Sequence, residues 1–364
     1  MTIDDATRRE LARFGFDEAQ LEKLAARLRD NPAEAQAATW VTGAIAPLER
    51  GDVSVLPARG TREHAALVER GLAALRAGEV GVVILAGGMA TRFGGVVKAA
   101  VPVTHGKTFL GLKIADVAHQ KLPVPAYVMT SFATHDRIDE QIREEKLAGV
   151  ETFPQLVSVR LAPSGELFHD ADGAVSPYAT GHGDLTFALR ASGVLKRFRE
   201  RGGKVLFMSN VDNLGATLEP AIIGAHLASG AAVTAEVVRK EKGDKGGAPA
   251  RLDGVPQIIE AFRFPPAFDQ DSIPLFNTNT FVFDAAAIDR DFDLTFFRVE
   301  KKVDDHKVIQ FERLVGQLTA FLPSHFLEVP RGGNDGRFQP VKDPEELEAR
   351  RSDIEHILRA RGIL

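Results

Sequence analysis

The sequence predicts an α/β fold built on a mainly parallel β-sheet. Short β-branched runs recur from Val80 onwards, including VGVVILAG (80–87), AYVMTS (126–131) and KVLFMSN (204–210). Helical segments separate these runs, and strands that alternate with helices are joined by right-handed crossovers. Composition agrees with a globular α/β protein, since 44% of the residues are hydrophobic and 26% are charged.

Length, charge and cysteine content exclude several classes of protein. The 364 residues are enough for a substantial core without disulfides, and the formal net charge of −5 argues against a nucleic-acid partner. The chain has no cysteine, which excludes disulfides, thiolate metal sites, iron–sulfur clusters and a cysteine nucleophile. It has neither an apolar run of membrane-spanning length nor an apolar signal core, so we expect no membrane partner and a cytoplasmic location.

Residues 1–78 are predicted to form an N-terminal helical accessory region. Asp17 and Gln20 have the spacing of a capping box, and Asn31-Pro32 is expected to end the helix that follows. Prolines and glycines predict a surface loop over 47–60, and a further helix is predicted over 62–77.

The remaining chain is predicted to contain a main α/β domain over 79–345 and a C-terminal helix over 346–364. The charged, glycine-rich segment 240–256 is predicted to be a loop, and 276–283 a strand. The sequence Asp343-Pro344-Glu345-Glu346 supplies a helix N-cap, a first-turn proline and a third-position glutamate, which marks the start of the terminal helix.

The first strand leads into the glycine-rich segment LAGGMATRFGGVVKAA (85–100). Gly87 and Gly88 allow backbone amides to approach a ligand closely, while Arg92 and Lys98 supply positive charge suited to nucleotide phosphates. Neither the dinucleotide fingerprint nor the P-loop pattern is matched here. The alternative is a plain strand–turn with glycines, and the combination of glycines, arginine and lysine favours the phosphate site.

Another strand, at 204–208, ends in SNVDNLGA (209–216). Ligands of open α/β sheets bind at the carboxyl ends of strands, which is where Asp212 lies. A carboxylate flanked by asparagines suits a hard cation such as Mg²⁺. The alternative is an Asx turn without a metal.

The segment PYATGHGDLTFAL (177–189) is predicted to be a loop that enters a helix. Gly181 and Gly183 would permit close approach of the backbone to a planar base. His182 has the alternative of a solvated turn residue, and Asp184 is predicted to be the N-cap of the helix that follows.

Further polar residues suit a phosphorylated sugar. Asn277 and Asn279 in FNTNTFVF (276–283) have donors and acceptors that match sugar hydroxyls, unless they form only a polar strand edge. Glu260 would accept from a hydroxyl or be simply exposed. Lys342, just before a helix N-cap, would meet a phosphate or be an ordinary surface lysine.

These segments together resemble the eukaryotic-type UDP-sugar pyrophosphorylases, most closely the UTP–glucose-1-phosphate uridylyltransferases. The resemblance covers about residues 80 to 345 in the family's order. It rests on LAGGMATRFGG with the following Lys98, MTS (129–131), FPQ (153–155), GHGDL (181–185), SNVDNLGA (209–216), KGG (245–247), FNTNT (276–280) and PVK (340–342).

The resemblance implies a Rossmann-like mixed, mainly parallel sheet of the nucleotide-diphospho-sugar transferase type, with 79–345 as the nucleotidyltransferase catalytic domain. Relatives carry a C-terminal β-helix after the PVK segment, whereas about 20 residues of predicted helix follow it here. We therefore expect a monomer or weak oligomer without a β-helix interface. Two positions depart from the family pattern: Ala90 replaces a glycine, and Val97 replaces the proline before Lys98.

The resemblance also implies roles for individual residues. Nucleotide binding is expected of Ala86, Gly87, Gly88, Gln155, Gly181 and His182. Sugar binding is expected of Asn210, Gly247, Glu260, Asn277 and Asn279. Lys98, Lys342 and Arg92 are expected to act on the reacting phosphates, and Asp212 to hold Mg²⁺.

The implied reaction makes UDP-glucose and pyrophosphate from UTP and glucose 1-phosphate, by Mg²⁺-assisted in-line attack on the α-phosphorus. One alternative is the same chemistry on N-acetylglucosamine 1-phosphate or galactose 1-phosphate. Another is a non-catalytic nucleotide-sugar binding protein, to which Ala90 and Val97 are the only pointers. A glycosyltransferase is disfavoured by the glycine-rich loop, and a dehydrogenase by the missing dinucleotide fingerprint.

Overall fold

The computed structural model describes residues 3–30, 39–90 and 93–364. Its helices are α1 (Asp5–Ala12), α2 (Glu18–Asp30), α3 (Arg62–Arg76), α4 (Phe109–His119), α5 (His135–Glu144), α6 (Leu185–Ala191), α7 (Val194–Glu200), α8 (Pro220–Ser229) and α9 (Pro344–Ala360). Its strands are β1 (Ile45–Pro47), β2 (Val53–Val55), β3 (Val80–Leu85), β4 (Met89–Ala90), β5 (Val96–Val97), β6 (Pro102–Thr104), β7 (Lys107–Thr108), β8 (Ala126–Thr130), β9 (Val150–Pro154), β10 (Val157–Val159), β11 (Pro177–Ala179), β12 (Val205–Asn210), β13 (Val233–Arg239), β14 (Ala248–Leu252), β15 (Val255–Ile259), β16 (Leu275–Asp284), β17 (Phe297–Val303), β18 (His306–Glu312) and β19 (Ser324–Glu328).

An eight-stranded sheet forms the centre, in the order β2-β19-β13-β16-β12-β3-β8-β9. Strand β16 runs antiparallel to its two neighbours, β12 and β13, and all the other strand pairs of this sheet are parallel. The predicted mixed, mainly parallel sheet is therefore confirmed. All six residues of β3 are buried, as expected for a strand covered on both faces.

The sheet separates two hydrophobic clusters, since neighbouring residues of a strand point to opposite faces. On β3, Val82 and Ile84 belong to one cluster, and Val83 and Leu85 to the other. Strands β3, β8, β9 and β12 all end at one edge of the sheet. Because β16 is antiparallel, its first residues lie at that same edge, so polar residues from both chain directions meet there.

Helices α1 and α2 pack on the smaller sheet of β10 and β11 through a separate hydrophobic cluster. The capping interaction predicted for α2 is present, because the N–H of Gln20 donates to Asp17 Oδ1 at 2.9 Å. The helix break predicted at Asn31-Pro32 lies outside the described residues.

Two predicted loops contain strands. Segment 47–60 includes β2, which joins the edge of the central sheet beside β19. Segment 240–256 includes β14 and the start of β15, which form a hairpin that also pairs with β1. The loop predictions were wrong there because the strands are short or half-exposed, so they lack a long apolar run.

The terminal helix begins as predicted, with the Asp343 carboxylate accepting from the N–H of Glu346 at 2.8 Å. Leu347, Ile354 and Leu358 of α9 belong to the same hydrophobic cluster as Val82 and Ile84 of β3. The strand predicted over 276–283 is also confirmed, as β16. Within the part of the chain described here, no helix combines the length and apolarity that crossing a membrane requires.

Candidate functional site

A continuous cleft lies at the edge where the central strands end. It has two lobes of about 330 Å³ and about 320 Å³, and three residues line both of them: His182, Asn210 and Asp212. We call the lobe that contains the glycine-rich turn after β3 the glycine lobe, and the lobe that contains the start of β16 the asparagine lobe.

Nearly all of the residues singled out from the sequence meet in this cleft. The glycine lobe is lined by Gly87, Gly88, Lys98, Gln155 and Gly181. The asparagine lobe is lined by Gly247, Glu260, Asn277, Asn279 and Lys342. Ala86 is buried, its N–H donates to the Met129 carbonyl, and it is not among the residues that line either lobe. Arg92 lies outside the described residues.

The two glycines after β3 have different surroundings. A Cβ on Gly87 would lie 2.6 Å from Gln155 Nε2, whereas a Cβ on Gly88 would meet nothing within 4 Å. Ser131 supports this turn, because its hydroxyl donates to the Gly87 carbonyl at 2.8 Å. Gly87 thus lets the buried Gln155 amide approach the backbone, and Gly88 borders open space in the cleft.

The two residues that depart from the family pattern, Ala90 and Val97, lie in a two-stranded β-ribbon. Met89 pairs with Val97, and Ala90 with Val96. Val97 is buried, and a single 3₁₀ turn begins at Lys98. The ammonium of Lys98 forms an ion pair with the Asp212 carboxylate, so Val97 does not keep Lys98 out of the cleft.

The turn at 181–184 is held by the chain that follows β18. Gly181 has φ +97°, and a Cβ there would lie 2.4 Å from the Arg313 carbonyl oxygen. The N–H of Gly183 donates to that carbonyl at 2.9 Å, and the N–H of Arg313 donates to the Thr180 carbonyl at 2.8 Å. Backbone contact this close requires glycine, which explains the two glycines around His182.

Asp184 is not the side-chain N-cap that the sequence predicts. Its carboxylate makes no capping bond to α6 and is fully buried. It accepts from Arg313 Nε at 2.9 Å and also pairs with Arg313 Nη2 and the Thr180 hydroxyl. The Arg313 guanidinium stacks over the rings of Phe187 and Phe296. Asp184 is therefore half of a buried ion pair behind the His182 turn.

His182 is a cleft residue and not a solvated turn residue. Its Nδ1 accepts from the N–H of Val315 at 3.1 Å, which leaves Nε2 as the protonated nitrogen of the neutral ring. Burial lowers the pKa of His182 to about 4. At neutral pH it is therefore an uncharged hydrogen-bond donor beside Asn210 and Asp212.

Asp212 stands where the two lobes join, and its carboxylate suits a hard cation. Among the described residues, the cleft included, no group of three or more His, Asp or Glu side chains could hold a metal ion by itself. Mg²⁺ is commonly bound by one or two carboxylates together with substrate phosphates and water. A single carboxylate between two lobes thus fits a metal that arrives with a phosphorylated substrate.

The segment that carries Asp212 is held from two sides. On one side, Lys113 of α4 donates from Nζ to the Ser209 hydroxyl at 3.0 Å and to the Ala216 carbonyl at 2.7 Å. Burial lowers the pKa of Lys113 to about 7. On the other side, Asn213 donates to the Arg337 carbonyl at 3.1 Å and accepts from the N–H of Gln339 at 2.9 Å. The second contact ties this segment to the chain that leads to Lys342.

A bulge in β16 places the asparagines. Asn277 is paired with Val237 and Thr280 with Glu236, so two residues of β16 have no opposite partner. Asn279, with φ +56°, donates from Nδ2 to Asn210 Oδ1 at 2.9 Å, and its N–H donates to Asn277 Oδ1 at 3.1 Å. Three asparagines from two strands thereby form one polar wall.

Glu260 lines the same lobe as these asparagines and lies next to Gly247. A Cβ on Gly247 would lie 3.0 Å from Glu260 Oε2, so the glycine leaves room for the carboxyl group. Burial raises the pKa of Glu260 to about 7, although Arg263 acts in the opposite direction. Near neutrality this group is therefore able to donate as well as accept a hydrogen bond.

Several basic residues of the asparagine lobe received no individual role from the sequence. Lys245, Arg331 and Arg350 line this lobe together with Lys342. Lys245 lies in the KGG segment, but an isolated arginine on a helix or loop carries no local signal that separates it from a solvated surface residue.

The family model described as UTP–glucose-1-phosphate uridylyltransferase matches residues 46–360. The chain belongs to this family. The match includes every cleft residue named above and also α9, although family membership does not by itself test the role of any single residue.

Curated relatives include UTP–glucose-1-phosphate uridylyltransferase 2 of Dictyostelium discoideum, 29% identical over 296 residues, and the Solanum tuberosum uridylyltransferase, 30% identical over 298. These alignments cover 74% and 75% of this chain but only 58% and 61% of the relatives. Among solved structures, the UDP-glucose phosphorylase of Trypanosoma brucei has a TM-score of 0.75 at 24% identity, covering 95% of this chain and 78% of the other. The UDP-N-acetylglucosamine pyrophosphorylase of the same organism has a TM-score of 0.76 at 18% identity, covering 98% and 79%. These likenesses confirm the predicted fold class.

Proposed function

We propose that the chain is a nucleotidyltransferase that makes UDP-glucose and pyrophosphate from UTP and glucose 1-phosphate. The observation that carries this proposal is the joining of the glycine lobe and the asparagine lobe at Asn210 and Asp212. Two phosphorylated substrates placed in the two lobes would meet beside one carboxylate and two lysines. Family membership supports the reaction class, and the names of the curated relatives support glucose as the sugar.

In this proposal the glycine lobe takes UTP. The backbone at Gly87 and Gly88 lies against the nucleotide, and the Gln155 amide offers a donor and an acceptor to the uracil edge. His182 adds a neutral N–H donor. The asparagine lobe takes the sugar, whose hydroxyls exchange hydrogen bonds with Asn277, Asn279 and Glu260.

The reaction needs no general base, because the attacking phosphate oxygen is already ionised at neutral pH. A phosphate oxygen of glucose 1-phosphate forms a bond to the α-phosphorus of UTP, and the bond from that phosphorus to the pyrophosphate oxygen breaks. Positioning and charge neutralisation supply most of the rate enhancement in reactions of this type.

Two anionic substrates repel each other, so the cleft must offset their charge. Lys98 and Lys342 approach the joined lobes from the glycine and asparagine sides, respectively. Asp212 would hold Mg²⁺, and the bound ion would offset part of the charge on the phosphates. Since Lys98 pairs with Asp212, it also holds the carboxylate towards the point where the phosphates meet.

The test is pyrophosphate release from UTP and Mg²⁺ with glucose 1-phosphate, galactose 1-phosphate and N-acetylglucosamine 1-phosphate in parallel. We expect release with glucose 1-phosphate, and less with the other two. Release only with another sugar phosphate would retain the reaction class and replace the sugar. Tight binding of UDP-glucose without any exchange of labelled pyrophosphate would contradict the proposal and identify a nucleotide-sugar binding protein.

A further inference from the structure

The start of the terminal helix forms part of the cleft wall. Lys342, Glu346 and Arg350 follow one another at intervals of four residues, and all three line the asparagine lobe. Residues four apart lie on the same face of a helix, so Glu346 and Arg350 share one face of α9. Lys342 comes just before the helix and lines the same lobe. Arg350 is the last of the three and belongs to no motif recognised in the sequence.

Arg350 differs from the other arginine of this lobe in its partners. Arg331 is neutralised by Asp244, at 2.8 Å, and by Glu241, at 3.1 Å. In the described part of the chain, the hydrogen bond of Arg350 is a long one, from Nη1 to Gln339 Oε1 at 3.3 Å, and no carboxylate lies within 4.0 Å of its guanidinium. Its positive charge is therefore not offset by a salt bridge.

The nearby carboxylate of Glu346 is engaged elsewhere. Its Oε2 accepts from the N–H of Lys342 at 2.7 Å, which also fixes the backbone before the helix. The side chains of Lys342 and Arg350 thus provide two cations on the wall of one lobe. A phosphate monoester carries close to two negative charges near neutrality and suits such a pair.

The position of Arg350 is well fixed by the packing of α9. Leu347 and Ile354, which lie about one helical turn before and after it, are buried in the main hydrophobic cluster. At the end of the helix, Arg361 donates to the carbonyls of Gly215 at 2.7 Å and Gly336 at 2.9 Å. A cation on a rigid helix loses less conformational entropy on binding a ligand than one on a loop.

We propose that Arg350 binds the phosphate group of the sugar 1-phosphate and acts with Lys342 to recruit this substrate. The placement selects the sugar phosphate over UTP. Arg350 lines the lobe of Asn277 and Glu260, whereas the wall of the glycine lobe is formed by other residues, including Gly87 and Gln155. This inference rests on the proposed function for its substrate but concerns a residue to which that function gives no role.

The test compares Arg350→Gln with the wild type in initial-rate kinetics. We expect the KM for glucose 1-phosphate at saturating UTP to rise about tenfold, the loss of one phosphate contact. The KM for UTP at saturating glucose 1-phosphate should stay within about twofold. Arg359→Gln is the matched control, because Arg359 lies on the same helix, is exposed, and pairs with Glu355 at 3.8 Å.

Arg350→Lys retains a charge without the planar fork and should recover part of the lost affinity. An unchanged KM for glucose 1-phosphate in Arg350→Gln, or an equal rise in both KM values, would overturn the proposal. So would a KM rise that accompanies a lower melting temperature and is not relieved in Arg350→Lys, since that pattern indicates a structural role.

Calorimetric titration with glucose 1-phosphate separates this inference from the proposed reaction. If the wild type binds the sugar phosphate but releases no pyrophosphate, the proposed function fails, and weaker binding by Arg350→Gln still supports the assigned contact. Equal binding by the wild type and Arg350→Gln would overturn the contact, whatever the activity.

Discussion

Lys98 and Asp212, 114 residues apart in sequence, form an ion pair at the place where the two lobes of the cleft meet. Both side chains are mostly buried, at 15% and 19% exposure. The pair brings together the glycine-rich turn after β3 and the end of β12.

Replacing either lysine of the cleft should suppress turnover while the fold is retained. We expect Lys98→Ala and Lys342→Ala each to lower kcat by roughly 100-fold or more, because each removes a charge that stabilises the transferring phosphates. Pyrophosphate release measures the rate, and circular dichroism checks the fold. Lys196→Ala is the control, since Lys196 is 78% exposed on α7. Near-normal rates in both cleft variants would refute their assigned role.

Asp212→Asn tests the proposed metal site. The amide keeps the shape of the side chain but lacks the negative charge, so we expect the Mg²⁺ concentration for half-maximal activity to rise about tenfold or more. Calorimetric titration of the UTP-bound protein with Mn²⁺ provides a readout independent of turnover. An unchanged metal dependence in both measurements would place the ion elsewhere.

Gly87→Ala and Gly88→Ala form a matched pair. A methyl group on Gly87 would displace the Gln155 amide, which is the end of a flexible side chain, so we expect weaker UTP binding by Gly87→Ala. On Gly88 it would point into open cleft, and the free protein should melt as the wild type does. Calorimetric titration with UTP measures the first effect and differential scanning calorimetry the second. Wild-type affinity for UTP in Gly87→Ala would contradict the role assigned to the Gln155 amide.

Glu260 should make stability depend on pH near neutrality. Because its pKa is about 7 in the folded protein and its ordinary value is 4.5, the folded state holds more protons between these values. Stability therefore falls as pH rises through this window. Glu260→Gln lacks this titration, so its free energy of unfolding relative to wild type should increase by about 1–3 kcal/mol from pH 4.5 to pH 8.

Urea unfolding at several pH values measures this difference. Glu69→Gln, on the exposed side of α3, serves as the control for the same exchange outside the cleft. A flat profile for Glu260→Gln would contradict the raised pKa of its carboxyl group.

Asp184→Asn distinguishes a buried ion pair from a helix cap. Loss of a cap costs about 1 kcal/mol, whereas breaking a buried pair with one charge left behind costs about 3–5 kcal/mol. We expect the larger loss, because Arg313 would remain buried. Thr61→Ala is the matched cap variant, since Thr61 accepts from the N–H of His64 at the start of α3. Equal losses from the two variants would favour the capping role.

The strands and the glycine-rich turn could be predicted because their signals are local. β3 and β12 are continuous apolar runs, and α9 begins with a complete capping sequence. β2 was missed because it has only three residues, and its partner β19 lies about 270 residues further along the chain. The expected oligomeric state and cytoplasmic location stay predictions.

The predictions for the cleft residues also succeeded where the signal in the sequence is local and failed where the partner residue is distant in sequence. Family motifs located the residues of both lobes, but the pattern at Asp184 matched an N-cap and could not reveal Arg313, 129 residues away. Arg350 was missed for a similar reason. A lone arginine on a polar helix becomes noticeable only when the fold places it beside Lys342 without a carboxylate partner.

The bulge in β16 inserts two residues, an even number. Side chains alternate between the two faces of a strand, so an even insertion preserves the alternation on both sides of it. Phe281 and Leu275, on opposite sides of the bulge, accordingly both belong to the same hydrophobic cluster. Asn279 can thus reach the cleft while the core register is undisturbed. Substitutions confined to the bulge should therefore change the hydrogen-bonding groups of this wall without repacking the domain.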